Sequence, residues 1–170
     1  MSNNEVKMNP KKMIISKTDP QGSILYVNAE FTRISGFERV ELLGKPHNII
    51  RHKDMPRGVF KLFWDSLQSG NEFNGYVKNR CENGDYYWVF ATVNPGVAED
   101  GKTLKGYFSA RRAPNENALD GIKEIYQKML AIEVKESGKG GADSSACYLT
   151  NYCEERGLSY DQMVIQLQAK

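Results

Sequence analysis

The chain has 170 residues, with 23 basic against 21 acidic side chains and a formal net charge of +2. That balance excludes a whole-chain basic surface for nucleic acid, and the length favours one domain with at most a small appendage. No apolar run approaches the roughly 20 residues of a membrane-spanning helix, so direct membrane insertion is not expected.

The opening MSNNEVKMNPKK lacks the apolar centre of a signal peptide, and a soluble, cytoplasmic protein is the expectation. Cys81, Cys147 and Cys153 form no CxxC pair and have no histidine at metal-ligand spacing, so they read as reduced thiols.

Residues 1–11 read as a flexible arm. A first strand is expected over 12–19, a turn at Asp19-Pro20-Gln21-Gly22, and a second strand over 23–28. From Ala29 the periodicity turns short and helical, with Phe31, Ile34 and Phe37 on one face and a stop at Gly44. A polar loop spans 45–56. Pro56 then opens a longer helix in which Val59, Phe60, Phe63, Trp64 and Leu67 share a face, and Gly70 ends it. Strands follow at 73–81, 86–95 and 103–112. Asn83-Gly84 and Asp100-Gly101 separate them and favour tight antiparallel hairpins. The fold class is α+β, with helices to one side of an antiparallel sheet. Beyond Pro114, residues 117–136 form an amphipathic flanking helix, 137–145 (SGKGGADSS) read as a flexible linker, and 146–170 as two short helices with Ser159 as an N-cap.

The loop PHNIIRHKDMP (46–56) is the densest concentration of ring-bearing and basic groups between two apolar segments. It suits a ligand with anionic and heteroaromatic parts. Arg51 has a guanidinium fork matched to a diphosphate and precedes a helix N-terminus, which also favours anions. His52 is placed to stack on a ring or to order the loop, and His47 to order the loop or, less readily, to reach the ligand. Asp54 sits where a helix cap is expected. Strand alternation puts Asn79 on the same face as Phe73 and Val77, and an amide among apolar neighbours needs a partner. Asn28 could serve a ligand or cap the helix that follows it. Trp88, Phe60 and Trp64 read as core aromatics. No GxSxG, GxxxxGK[ST] or HExxH pattern is present, so an enzyme is not indicated.

The segments TDPQGSILYVN (18–28), SGFERVELLGKPHNIIRHKDMP (35–56), GYVKNRCENGDYYWV (75–89) and the closing Asn94-Pro95 together resemble a PAS sensory domain. More narrowly, they resemble the flavin-binding PAS domain of bacterial aerotaxis receptors. The resemblance covers about residues 12–113. It implies a five-stranded antiparallel sheet, short helices over its concave face, and FAD held non-covalently between them. The redox state of the FAD would be passed to a signalling protein in trans. It also implies that Asp54 matters to the flavin site, and that Phe73 departs from the tryptophan common among flavin-binding relatives. Trp88 joins the aromatic residues that could reach the cofactor. No cysteine precedes Cys81, so a cysteinyl photoadduct of the light-sensing kind is not expected. Two alternatives stay open: a haem sensor ligated through His47 or His52, and a cofactor-free interaction module. The 117–136 helix suggests a homodimer; the role of 143–170 is open.

Overall fold

The computed structural model describes residues 3–136 and 138–170. Five strands form one antiparallel sheet: β1 (Ile14–Thr18), β2 (Ile24–Val27), β3 (Phe73–Arg80), β4 (Tyr86–Val97) and β5 (Leu104–Arg112), in the spatial order β2-β1-β5-β4-β3. Between β2 and β3 lie α1 (Ala29–Ser35), α2 (Arg39–Leu42), a 3₁₀ turn at His47–Ile50 and α3 (Arg57–Gln68). The β3–β4–β5 meander follows from its turns. Gly84 and Gly101 sit at φ 95° and 67°, where a side chain would be strained, and each lets the chain reverse into the next strand.

The sheet has two covered faces. Toward α1–α3, Ile14, Ile24 and Val89 pack with Phe31, Ile34 and Leu42. On the opposite face Tyr76, Trp88 and Phe90 pack with Leu119, Ile122, Ile125, Tyr126 and Met129 of α4 (Glu116–Lys135). The Tyr126 hydroxyl donates to the Tyr76 carbonyl at 2.7 Å, which satisfies a polar tip inside this apolar layer. Burying each large apolar side chain stabilises by about 1.5–3 kcal/mol, so the α4 stripe is a major part of the fold. The stripe is used within the chain.

Three helix starts obey the capping rules. Asn28 accepts from the Phe31 amide, Asn115 from the Asn117 amide and Ser159 from the Gln162 amide. The expected Ser159 cap therefore starts α6 (Tyr160–Ala169).

Two expected flexible segments are ordered. Within the arm, the Val6 amide donates to the Tyr86 carbonyl at 2.7 Å, the Tyr86 amide to the Asn4 carbonyl at 3.0 Å, and Met8 is buried. The start of β4 has free backbone groups there, and the arm satisfies them. The expected linker 137–145 is largely helical, because α5 runs Lys139–Glu154, longer than the short helix expected there; Ser137 lies outside the described residues. A Cβ on Gly141 would fall 2.0 Å from the Glu136 carbonyl oxygen. The small residues that suggested flexibility are what lets α5 approach α4 closely. α5 packs on α3 and α4, and α6 packs on β3, the edge strand.

Met129→Ala should lower stability by about 2–5 kcal/mol, read as a lower urea midpoint. Val134→Ala, at an 83 % exposed position of the same helix, should change it by less than about 0.5 kcal/mol. A Met129 variant as stable as the wild type would contradict the docking of α4 on the sheet.

Candidate functional site

Between the sheet and the helices lies a cavity of about 250 Å³. Strand alternation builds its sheet wall: Ser16 and Thr18 of β1, Tyr107, Ser109 and Arg111 of β5, Ala91 and Val93 of β4, and Phe73, Val77 and Asn79 of β3. The helical wall is α3 with Val59, Phe60, Phe63 and Trp64, and the loop contributes His47, Ile50 and Arg51. Ligand cavities usually run from roughly 300 to 1,000 Å³. This one can enclose a ring system, while a larger ligand would have to extend out of it.

Arg111 is 5 % exposed, and among the described residues no carboxylate pairs with it. Its Nη1 and Nη2 each lie 3.2 Å from the Ser16 hydroxyl, and Nη2 lies 2.7 Å from His47 Nε2. Burial lowers the Arg111 pKa to about 10, so the guanidinium stays charged at neutral pH. Nε2 of His47 must then accept, which places the ring proton on Nδ1. Burial, and then the Arg111 charge, push the His47 pKa down to about 3 and keep this imidazole neutral. The result is a buried cation held only by neutral groups.

Other polar groups here are also unsatisfied. Thr18 Oγ1, Ser109 Oγ and Asn79 Nδ2 are buried with no hydrogen-bond partner among the described residues. The Tyr87 hydroxyl, on the residue opposite Asn79 in β4, is within electrostatic reach of the amide but not in hydrogen-bonding geometry, and it is also unpartnered. Each such group costs about 1–3 kcal/mol if nothing meets it. Three of them facing one cavity, beside an uncompensated cation, match a flat ligand with acceptor atoms and negative charge at its edge.

Arg51 lies in the cavity wall, partly buried. Its Nη2 donates to the Met55 carbonyl at 3.2 Å, and its guanidinium carbon sits 4.0 Å from the Phe60 ring centroid. Burial lowers its pKa, and the nearby Glu133 carboxylate opposes that shift. The backbone of Arg51 bridges Asn79 on the edge strand, which fixes the loop to β3.

The structure brings together four of the expected site residues, Arg51, His47, Asn79 and Phe73. It places the other four elsewhere. His52 is buried away from the cavity, its ring 5.7 Å from Tyr86 and its Nδ1 accepting from the Asp54 amide. Asp54 does not cap a helix, since α3 begins at Arg57 behind Pro56. Its carboxylate instead pairs with Lys78 at 2.8 Å, on the other face of β3. Asn28 spends its side chain on Phe31, Ile15 and Met13, which tie α1 to β1. Trp88 faces α4, 6.1 Å from Tyr126. Phe60 and Trp64, expected as core, line the cavity. Arg111, Ser16, Thr18 and Ser109 were not anticipated. Their signal was polar residues at inward positions of β1 and β5.

A PAS-fold family model matches residues 24–107. The chain is 40 % identical over 118 residues to the aerotaxis receptor of Escherichia coli, which covers 69 % of this chain and 23 % of that protein. It is 34 % identical over 88 residues to a biofilm dispersion protein of Pseudomonas aeruginosa, covering 51 % and 21 %. The chain carries a PAS domain of the aerotaxis-receptor type.

The chain spans under a quarter of the length of these two relatives. The fold of the PAS domain is shared with a light-oxygen-voltage domain studied with a flavin analogue, at TM-score 0.56 and 17 % identity over 74 % of this chain and 87 % of that one. It is also shared with the light-oxygen-voltage domain of a blue-light-activated histidine kinase from Erythrobacter litoralis EL346, at TM-score 0.50 and 18 % identity over 59 % and 92 %. No described helix is long and apolar enough to cross a membrane.

The electrostatics of this PAS pocket set a pH dependence. The folded chain refuses a proton at His47 that the unfolded chain takes up below about pH 6.5. His52 is shifted the same way, by burial and then by Lys78. Stability should therefore fall as the pH drops from about 6.5 toward 5, by at most about 1.4 kcal/mol per unit per histidine. Urea unfolding across that range should show a shallower slope in His47→Gln. An unchanged slope would mean His47 is not held neutral.

Proposed function

We propose that this PAS domain is a redox sensor that binds FAD non-covalently and passes its state to a separate signalling protein. The observation that carries the reading is the buried Arg111 cation, without a carboxylate, beside three unpartnered polar groups in a ring-sized cavity. A bound flavin would supply the one- and two-electron redox chemistry.

The residues present fit such a ring system. Asn79, Ser109 and Thr18 offer hydrogen bonds to its heteroatom edge, Phe73, Phe63 and Trp64 offer apolar contact, and Arg111 favours whichever form carries more negative charge. Arg51 is the natural partner for a diphosphate leaving the cavity, since its guanidinium forms no salt bridge among the described residues and the nearby Glu133 oxygens are engaged by Arg57, Gly58 and Ser145. The similarity to an aerotaxis receptor supports the sensory role, and the fold shared with light-oxygen-voltage domains is in keeping with a flavin. Haem is a poorer fit. His47 Nε2 is already taken by Arg111 and Ser16, and His52 points at Tyr86 outside the cavity.

A change of charge at the ring would be felt first by Asn79 on β3 and Arg111 on β5, on the two strands that flank β4 in the cavity wall. β3 carries Asn79 inward, and its Asn74 donates to Asp161 of α6 at 3.0 Å. A shift in β3 would thus alter contacts at the surface, where a receptor-like or kinase-like partner could read it. A homodimer is compatible with this scheme.

The purified protein should show the two-banded absorption of an oxidised flavin, and the released chromophore should be FAD. Arg51→Ala should weaken FAD binding roughly tenfold or more while changing riboflavin binding less than about twofold, because only FAD brings a diphosphate. A colourless protein that refuses added FAD would instead favour a cofactor-free interaction module.

A further inference from the structure

The cavity-covering helix α3 has no cap of its own. Pro56 stands at its N-cap position and offers no side-chain hydrogen bond. The cap comes from α4, far along the chain. Glu133 is 8 % exposed, and its Oε1 accepts from the Gly58 amide at 2.9 Å and from the Ser145 hydroxyl of α5 at 2.6 Å. Its Oε2 accepts from Arg57 Nε at 3.2 Å. One buried carboxylate thus joins three helices.

The backbone is shaped around this junction. A Cβ on Gly58 would lie 2.2 Å from the Ser145 hydroxyl and 2.6 Å from the Ala146 amide nitrogen, so α3 and α5 touch directly. Burial would raise the carboxyl pKa, but the bonds from Ser145, the Gly58 and Arg57 amides and the Arg57 side chain outweigh it and hold the group ionised. An ionised carboxylate at a helix N-terminus satisfies orphan amides and complements the helix dipole. Immediately after Gly58 come Val59 and Phe60, which face the cavity, and Arg51 stacks on Phe60.

We propose that Glu133 is a positioning residue for ligand binding: from outside the matched PAS segment it fixes α3, and with it Phe60 and Arg51, against the cavity. Ser145 extends the same lock to α5. By linkage, a ligand held under α3 must stabilise the α4–α5 junction by the factor with which that junction strengthens its binding. This gives the C-terminal helices a part in sensing rather than in packing alone.

The affinity readout rests on the flavin reading, so the test carries a second readout that does not. Glu133→Ala is compared with Val164→Ala, which removes fully buried volume from α6 without touching α3's cap. In the full chain, FAD titration should show roughly tenfold weaker binding for Glu133→Ala and less than about twofold for Val164→Ala at a similar loss of melting temperature. In the ligand-free proteins, amide exchange over residues 59–64 should quicken in Glu133→Ala and not in Val164→Ala. Equal effects of the two variants on affinity, or equal exchange over 59–64, would overturn the proposal. If the wild type takes up no FAD, the flavin reading fails and the exchange comparison alone decides the role of Glu133.

Discussion

A guanidinium buried in an apolar cavity without a counter-charge is the constraint around which this structure is arranged. Desolvating a cation is expensive, and the usual remedy is a carboxylate. Arg111 instead has a hydroxyl and a neutral imidazole, Ser16 and His47. Keeping His47 neutral requires its burial and the adjacent positive charge, both supplied by the loop folding down onto β5. Placing that loop requires the 3₁₀ turn, the Arg51–Asn79 bridge to β3 and the helix that follows. A buried cation without a counter-charge costs stability that a negative ligand group would restore.

The rest of the chain compensates. α4 covers the far face of the sheet with a continuous apolar stripe, and α5 and α6 bind α3 and the edge strand β3. The N-terminal arm pairs with the start of β4. These contacts lie mostly outside the matched PAS segment, yet they hold the cavity's helical lid through Glu133 and the edge strand through Asn74 and Asp161. A polar site with unsatisfied buried groups in a small domain needs such outside support.

Strand positions and most helix periods were legible in the sequence because they are local, whereas the pairing of β1 with β5 is not. Alternation gave β3 and β4, Asn-Gly and Asp-Gly gave the hairpins, and Asn79 could be placed inward from its neighbours alone. What failed was information carried by contact across the chain. Asp54 reads as a cap until Lys78, on another element, is seen to pair with it. His52 sits in the loop most suited to a ligand, but the turn aims its ring at Tyr86. The glycines and serines of 138–145 have the composition of a linker and the packing of a close helix crossing. Arg111 was hidden for a related reason: only its register opposite Ala91, a residue of another strand that also lines the cavity, marks it as inward.

The most direct measurement is the unfolding free energy of the ligand-free Arg111→Met protein at neutral pH. Methionine keeps much of the volume and removes the uncompensated charge. The account predicts a variant at least as stable as the wild type, by up to about 1–4 kcal/mol, since replacing buried charge with apolar packing is often stabilising. It also predicts that the variant loses flavin uptake. A variant that is clearly destabilised would mean that Arg111 is satisfied within the fold, and the cavity would no longer call for an anionic ligand.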